Sequence, residues 1–349
     1  MNRLCELVGI EHPIVQTGMG YVAYPPLAAA VSEAGGLGIL AAATMDYEEL
    51  AKAIATVRSM TQKPFGVNLR ADAPDAAARI ALMAGEGVRV ASFAQAPRPE
   101  LIAQAKDGGM VVIPSIGARR HAEKVAGWGA DAVIVQGGEG GGHTGQVPTT
   151  LLLPQVVDAV GDQLAVVAAG GFFDGRGLVA ALAYGAAGIA MGTRFLLTAE
   201  SPVGQAVKDF YLSKSVTDTL VTTQVDGVPH RVLRTDLVEQ LERSGTAASL
   251  LRAARNAFAF QRLTRTPWRD VIKEGLSMRK AQDLSWSQVV MAANTPMLLR
   301  AAMVEGRPDL GVMASGQVVG MIDDLPTCRD LLDRIMREAD AVIGRLGPS

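Results

Sequence analysis

The chain has 349 residues, 49% of them hydrophobic, and a formal net charge of -2. That length can bury a sizeable core, and the near-neutral balance offers nothing to a nucleic-acid backbone or an anionic membrane surface. Its two cysteines, Cys5 and Cys328, stand near opposite ends, which argues against a disulfide framework and fits a reducing cytoplasm.

The first residues, MNRLCELVGIEHP, carry no long apolar run behind their basic residue, so no signal peptide is expected. From there to about residue 200, short apolar runs alternate with stretches of helical spacing. Strands are predicted at Pro13–Thr17, Gly38–Ala41, Phe65–Leu69, Val88–Phe93, Val111–Pro114, Ala132–Val135, Ala165–Ala168 and Ile189–Met191. Between them lie helical patterns such as PPLAAAVSEAGG and YEELAKAIATVRSMT, several ending in glycine, as at Gly35-Gly36 and Gly185. Strand after helix, repeated, means parallel strands with crossover helices. Eight strands and seven helices suit a (β/α)8 TIM barrel better than an open doubly wound sheet. Leu178 to Leu197 has a single charge, Arg194, but Gly185, Gly188 and Gly192 interrupt it. It reads as a buried helix, turn and strand rather than a membrane span.

After Glu200 the apolar strand runs stop, apart from LVTTQVDG, and helical patterns follow: LVEQLERSG, AASLLRAARNAFAFQRL, WRDVIKEGL and WSQVVMAAN. Residues 201–307 are therefore expected to form a mostly helical insertion or cap. The barrel is expected to comprise residues 1–200 and 308–349, with CRDLLDRIMREADAVIGRL as an amphipathic helix packing back on it.

In such a barrel the chemistry lies on loops at the carboxyl ends of the strands. Those positions hold Thr17-Gly-Met-Gly20, Asn68, Gln136 with the loop GGEGGGHTG, Ala169-Gly170-Gly171, and Met191-Gly192-Thr193-Arg194. The most glycine-rich and polar parts of the chain thus converge on one face. Gly170, Gly171, Gly192 and Thr193 follow the seventh and eighth strands, where barrels of this kind bind phosphate through backbone N–H groups. Gly18-Met-Gly20-Tyr-Val-Ala23 matches a dinucleotide fingerprint, but the next strand ends in LAAAT without the acid that fingerprint requires. No zinc pattern, Walker motif or paired CxxC occurs, so no metal site is expected.

Of the four histidines, His12 precedes the first strand, His121 lies in a charged helix, and His230, in VPHRV, reads as a surface turn. His143 alone lies on the proposed catalytic face. A histidine titrates near neutral pH and can take or give a proton there.

PIVQTGMG, GVNLR, VIVQGGEGGGHTG, VVAAGGFFDGRGL and AMGTRFL resemble the nitronate monooxygenase (2-nitropropane dioxygenase-like) family, which includes flavin-type enoyl-acyl-carrier-protein reductases. The resemblance covers essentially the whole chain. Stretches where that family varies, such as VDGVPHRVLRT and SQVVMAANTPMLL, are similar to its steroid-catabolic CoA-thioester reductase subgroup.

The resemblance implies an FMN-binding barrel. Asn68 would hold the flavin's polar edge, Gln136 its ring or ribityl chain, and Met19 the ring through its backbone. Gly141 would let the flavin lie close, and Gly170, Gly171, Met191, Gly192 and Thr193 would surround its phosphate. His143 aligns with the family's active-site histidine. Gly140 stands where the family commonly has alanine, which suggests a roomier loop and a larger substrate than a nitronate. The implied activity is NAD(P)H-dependent reduction of an unsaturated CoA thioester from the last two steroid rings. The alternatives are oxidation of alkyl nitronates with O2 and a non-catalytic flavin-binding protein. The expected partner is a small acyl-CoA; a homo-oligomer is allowed. Arg231, Arg234, Arg252 and Arg255 could meet CoA phosphates or form a solvated face.

Overall fold

The computed structural model describes residues 2–243, 294–309 and 311–347. Its strands run β1 (Ile14–Gln16), β2 (Leu37–Ala41), β3 (Phe65–Leu69), β4 (Val90–Phe93), β5 (Val111–Ile116) and β6 (Ala132–Gln136). After the two-residue β7 (Gly142–His143) come β8 (Ala165–Ala169) and β9 (Gly188–Met191). All but β7 pair in parallel, and β1 closes on β9, giving an eight-stranded barrel. Every expected strand is present within a residue or two of its expected bounds. The stretch Leu178–Leu197 resolves into parts of the helix Gly175–Ala183, β9 and the short helix Thr193–Leu196. Among the described residues no helix is long and apolar enough to cross a membrane.

The barrel strands read as continuous apolar runs because both faces are buried. Alternate residues divide between two cores, as a strand's period of two requires. Ile39, Ile113, Ile134 and Val167 fill the interior, whereas Leu40, Val112, Val133 and Val166 pack outward beneath the helices. The first helix, Arg3–Val8, adds Leu4 and Val8 to the interior cluster. The last, Cys328–Leu346, packs against the helices Gly175–Ala183 and Pro25–Glu33.

Within residues 201–307, expected to be a mostly helical insertion, the described residues include a hairpin beside the helices. After the helix Gln205–Leu212 the chain forms an antiparallel hairpin, β10 (Thr219–Thr222) and β11 (His230–Leu233), and only then the helix Asp236–Arg243. His230 therefore lies in a strand, 3% exposed, and not in a surface turn. A small separate core of Val225, Val232, Val238, Leu241, Leu298 and Val312 supports the hairpin. The patterns around 247–263, 268–276 and 286–293, with Arg252 and Arg255, lie outside the described residues.

A buried guanidinium fastens the C-terminal segment to the barrel. Arg194, 2% exposed, donates to Asp324 Oδ1 at 2.8 Å, to Leu197 O at 2.5 Å and to Asp324 O at 2.9 Å. Arg334 holds the other carboxylate oxygen of Asp324 at 2.6 Å. Removing one partner leaves a buried charge short of compensation. Because Asp324 is partly exposed, Asp324→Ala is expected to cost about 2–3 kcal/mol, less than the roughly 3–5 kcal/mol of a fully buried pair. Urea denaturation of the variant against the parent measures it.

Candidate active site

Strand register brings the sequence-predicted positions to one mouth of the barrel. Gln16 is opposite Met191, Asn68 lies between Ala41 and Ser92, and Gln136 is opposite Ala169, which is opposite Ala190. The loops carrying Met19, His143, Gly170, Gly171, Gly192 and Thr193 leave from this ring. Asn68 is buried and donates from Nδ2 to Ser92 Oγ at 3.1 Å, which fixes its amide. Met19 uses its carbonyl within its own turn, accepting the N–H groups of Val22 and Ala23. Its sulfur lies beside Gly192, 3.4 Å from where a Cβ would stand. Tyr21, two residues on, has φ of 62°, the left-handed conformation that side chains rarely adopt and that concentrates at functional loops. Met191 turns its side chain into the outer core and accepts Thr17 N–H, so it shapes the site from behind.

The glycine loop after β6 is held on several sides, and its glycines answer to protein neighbours. Gln136 Nε2 donates back to Gly141 O at 3.2 Å and His143 O at 2.9 Å. A Cβ on Gly140 would fall 2.6 Å from that same Nε2. Gly140 thus makes space for Gln136, which corrects the expectation that it enlarges the substrate space. A Cβ on Gly141 would fall 2.5 Å from Gly316 N. What lies against Gly141 is the backbone of Ser315-Gly316, where the sequence reading placed the flavin. That segment is pinned by Gly316 N–H to Thr193 Oγ1 at 3.0 Å and Gln317 N–H to Glu139 O at 3.0 Å. Arg231 donates to Gly138 O at 3.1 and 2.9 Å and to Thr219 Oγ1 at 3.0 Å. Its guanidinium clamps this loop to the hairpin, which corrects its suggested role with CoA phosphates.

The hairpin also completes the surroundings of His143. β7 pairs antiparallel with β11, His143 opposite His230 and Gly142 opposite Arg231. Asp226, in the turn of the hairpin and 5% exposed, places Oδ2 2.7 Å from His143 Nε2. Its Oδ1 accepts Val228 N–H at 3.2 Å. The rings of His143 and His230 stack at 4.6 Å between centroids, tilted by 44°. Burial and the Arg70 charge act to lower the His143 pKa; the hydrogen bond and charge of Asp226 outweigh them and raise it. Burial would raise Asp226, yet its hydrogen bonds and the two imidazoles hold it far below the usual carboxylate range. Burial pushes His230 down; among the described residues neither of its ring nitrogens has a hydrogen-bond partner. His143, Asp226 and His230 offer three ligand atoms within 4.8 Å, but the 2.7 Å contact has the length of a charge-assisted hydrogen bond. Sequence reasoning missed Asp226 and the 314–317 segment. The Asp226-Gly227 dipeptide between two β-compatible runs, LVTT and HRVL, is the hairpin signal that could have found the first.

A nitronate monooxygenase family model matches residues 1–81 and 75–338. The chain belongs to the nitronate monooxygenase family. It is 63% identical over 346 residues (99% of this chain, 98% of the relative) to a Rhodococcus jostii protein. That relative is named (3aS,4S,5R,7aS)-5-hydroxy-7a-methyl-1-oxo-octahydro-1H-indene-4-carboxyl-CoA dehydrogenase. A Mycobacterium tuberculosis protein of the same name is 63% identical over 337 residues, covering 96% of this chain and 95% of that one. Among solved structures, FabK from Thermotoga maritima aligns with a TM-score of 0.80 and 34% identity over 99% of this chain and 98% of that one. As a member of this family the chain is a flavin-dependent oxidoreductase. The mouth also offers backbone N–H donors that could hold an anion. Gly170 and Gly171 turn with φ of 98° and 86°, and among the described residues the N–H groups of Gly170, Gly171 and Gly192 have no acceptor. Three such donors on adjacent strand ends suit an anion.

Proposed function

We propose that the chain is an FMN-dependent oxidoreductase acting on a bicyclic CoA thioester of the kind left from the last two steroid rings, with His143 handling the proton. The observation that carries this reading is a half-exposed histidine, hydrogen-bonded to a buried carboxylate, at the mouth of the barrel. The full-length similarity to proteins named for a hydroxylated indene carboxyl-CoA supports the substrate class.

FMN, when bound, accepts or returns a hydride. The Gly170, Gly171 and Gly192 N–H groups would hold its phosphate, with Thr193 keeping the neighbouring 315–316 backbone in place. Asn68 and Gln136 would line the side of the mouth that faces its ring. The relatives' name describes dehydrogenation, so two electrons and two protons leave the substrate. His143 would then receive the proton. The sequence expectation was the opposite direction, in which NAD(P)H supplies the hydride and a protonated His143 delivers a proton to an enoyl thioester or stabilises charge on its oxygen. The same residues serve both directions. The relatives' name favours dehydrogenation, with a nicotinamide nucleotide or another oxidant turning the flavin over.

Anaerobic titration tests the proposal. Yellow protein whose absorbance bleaches on addition of a 5-hydroxy-indane-carboxyl-CoA supports the dehydrogenase. Bleaching by NADH or NADPH with reoxidation by a bulky enoyl-CoA selects the reductase direction. Oxygen consumption driven by alkyl nitronates alone would replace the CoA-thioester reading with the nitronate one. Bound flavin without turnover on any of these would mean a binding protein.

A further inference from the structure

We infer that Asp226 is the positioning residue of His143, holding the imidazole through Nε2 so that Nδ1 is the nitrogen that meets the substrate. The inference rests on the proposed proton role of His143. It goes further by naming the atom that carries the proton and the residue, distant in sequence, that selects it.

The geometry supplies the argument. An ionised carboxylate can only accept hydrogen bonds, so the 2.7 Å contact between His143 Nε2 and Asp226 Oδ2 requires a hydrogen on Nε2. Neutral His143 then has its lone pair on Nδ1, and protonated His143 carries its second hydrogen there. Nδ1 has no partner among the described residues. The carboxylate cannot swing freely, because Val228 N–H holds its other oxygen. His230 does not compete for it: its Nδ1 is 3.6 Å from the same oxygen, beyond hydrogen-bond range. One backbone ladder sets all of this. The pairing of β7 with β11 places His143 opposite His230, and Asp226 precedes His230 by four residues in the turn of the same hairpin. The relation is that of a base oriented by a buried acid, as in hydrolytic triads. Here the acid comes from the insertion and the histidine from the barrel.

Among the described residues the charged and titratable groups facing His143 are Asp226 and His230 from the hairpin and Arg70 from the loop after β3, itself paired with Asp72 at 3.1 Å. Of these Asp226 alone favours the imidazolium. Its loss leaves burial and Arg70, both of which favour the neutral ring.

The test is nitrogen-15 NMR of histidine-labelled holoenzyme, which contains four histidines, His12, His121, His143 and His230. In the unaltered protein His143 is expected as the Nε2–H tautomer, titrating above the ordinary value of 6.5. In Asp226→Asn it should titrate below that value. The limb of the kcat profile that reports His143 should move to lower pH, and kcat should fall at least about 100-fold with KM little changed. An Nδ1–H tautomer in the unaltered protein overturns the inference, and this measurement needs neither a substrate nor a stable variant. An unshifted titration in Asp226→Asn overturns it too, as does a kcat loss without movement of the limb, which marks a merely structural carboxylate. Loss of activity on chelator dialysis, restored by a divalent cation, would instead make the three residues a metal site. Failure to turn over any CoA thioester would refute the functional proposal and leave the NMR result standing.

Discussion

Replacing His143 with alanine is expected to lower turnover by about 10²- to 10⁴-fold, the usual contribution of a positioned acid or base, while the protein keeps its flavin. Flavin retention follows from where the side chain points. The donors proposed for the phosphate are backbone N–H groups on the β8 and β9 loops, and the β7–β11 pairing that orders the glycine loop is made by backbone atoms. Alanine therefore removes the imidazole and leaves the cradle. It also takes from the buried Asp226 its 2.7 Å partner, a cost of about 1–3 kcal/mol in stability. His143→Gln separates the two effects, since its amide can donate to the carboxylate but cannot titrate. Both variants should be slow, and the glutamine variant should be the more stable. Flavin-to-protein ratio, thermal unfolding and stopped-flow bleaching of the flavin measure the three quantities. Turnover unchanged in either variant would leave the histidine as a cap of its loop.

Gly141→Ala is expected to damage the site from within, through packing rather than chemistry. Its Cβ would stand 2.5 Å from both Gly316 N and Ser315 C and 2.9 Å from Ser315 Cα. These are backbone atoms, so no rotamer change relieves the contact. The segment is also fixed at Thr193 and Glu139. One of two things must move: the 315–316 segment, which would strain its tie to the β9 loop, or the glycine loop, which would shift His143. Overpacking of this kind costs about 1–3 kcal/mol. The functional loss should exceed what that cost alone implies, because the displacement reaches the phosphate cradle and the histidine together. Weakened FMN affinity by fluorescence titration, with a parallel fall in thermal stability, is the expected result. Gly140→Ala is the control: its Cβ meets the Gln136 side chain at Cγ, Cδ and Nε2, 2.6 to 2.8 Å away, and because a side chain rather than backbone must move, the effect should be smaller. Equal, negligible effects in both would show that the loop yields freely.

A pH consequence follows from the same pair. His143 has its pKa raised in the folded protein. The stability contributed by its pairing with Asp226 is therefore fully present below the ordinary value of 6.5 and is lost as pH rises through the higher folded value. Asp226 works in the other direction: its depressed pKa gives stability that is fully present above the ordinary carboxylate range and is lost progressively as pH falls below it.

The barrel was legible because its signal is local. Each of its strands is a short apolar run between helical patterns, buried on both faces, so neither amphipathic phase nor long-range pairing had to be known. The ring of loops at the barrel's carboxyl end was legible for a related reason: in parallel strands every carboxyl end lies on one side, so counting strands places Asn68, Gln136, Gly170 and Gly192 on a common face. His143 could be singled out as the one histidine in such a loop. Its partner could not. Asp226 lies 83 residues away, in a stretch whose hairpin alternation is brief and whose burial depends on a satellite core completed by Leu298 and Val312. The glycines were misread for the same reason. Composition shows that Gly140 and Gly141 lack side chains, but whether a cofactor, a glutamine or another backbone fills the space is a question of which segments fold back against the loop. The sequence by itself determined the barrel, the face on which the loops at its strands' carboxyl ends gather, and the place of His143 in one of those loops. The tertiary structure decided what the histidine is bonded to and what the glycines make room for, because those contacts join segments whose residues carry no mark of each other.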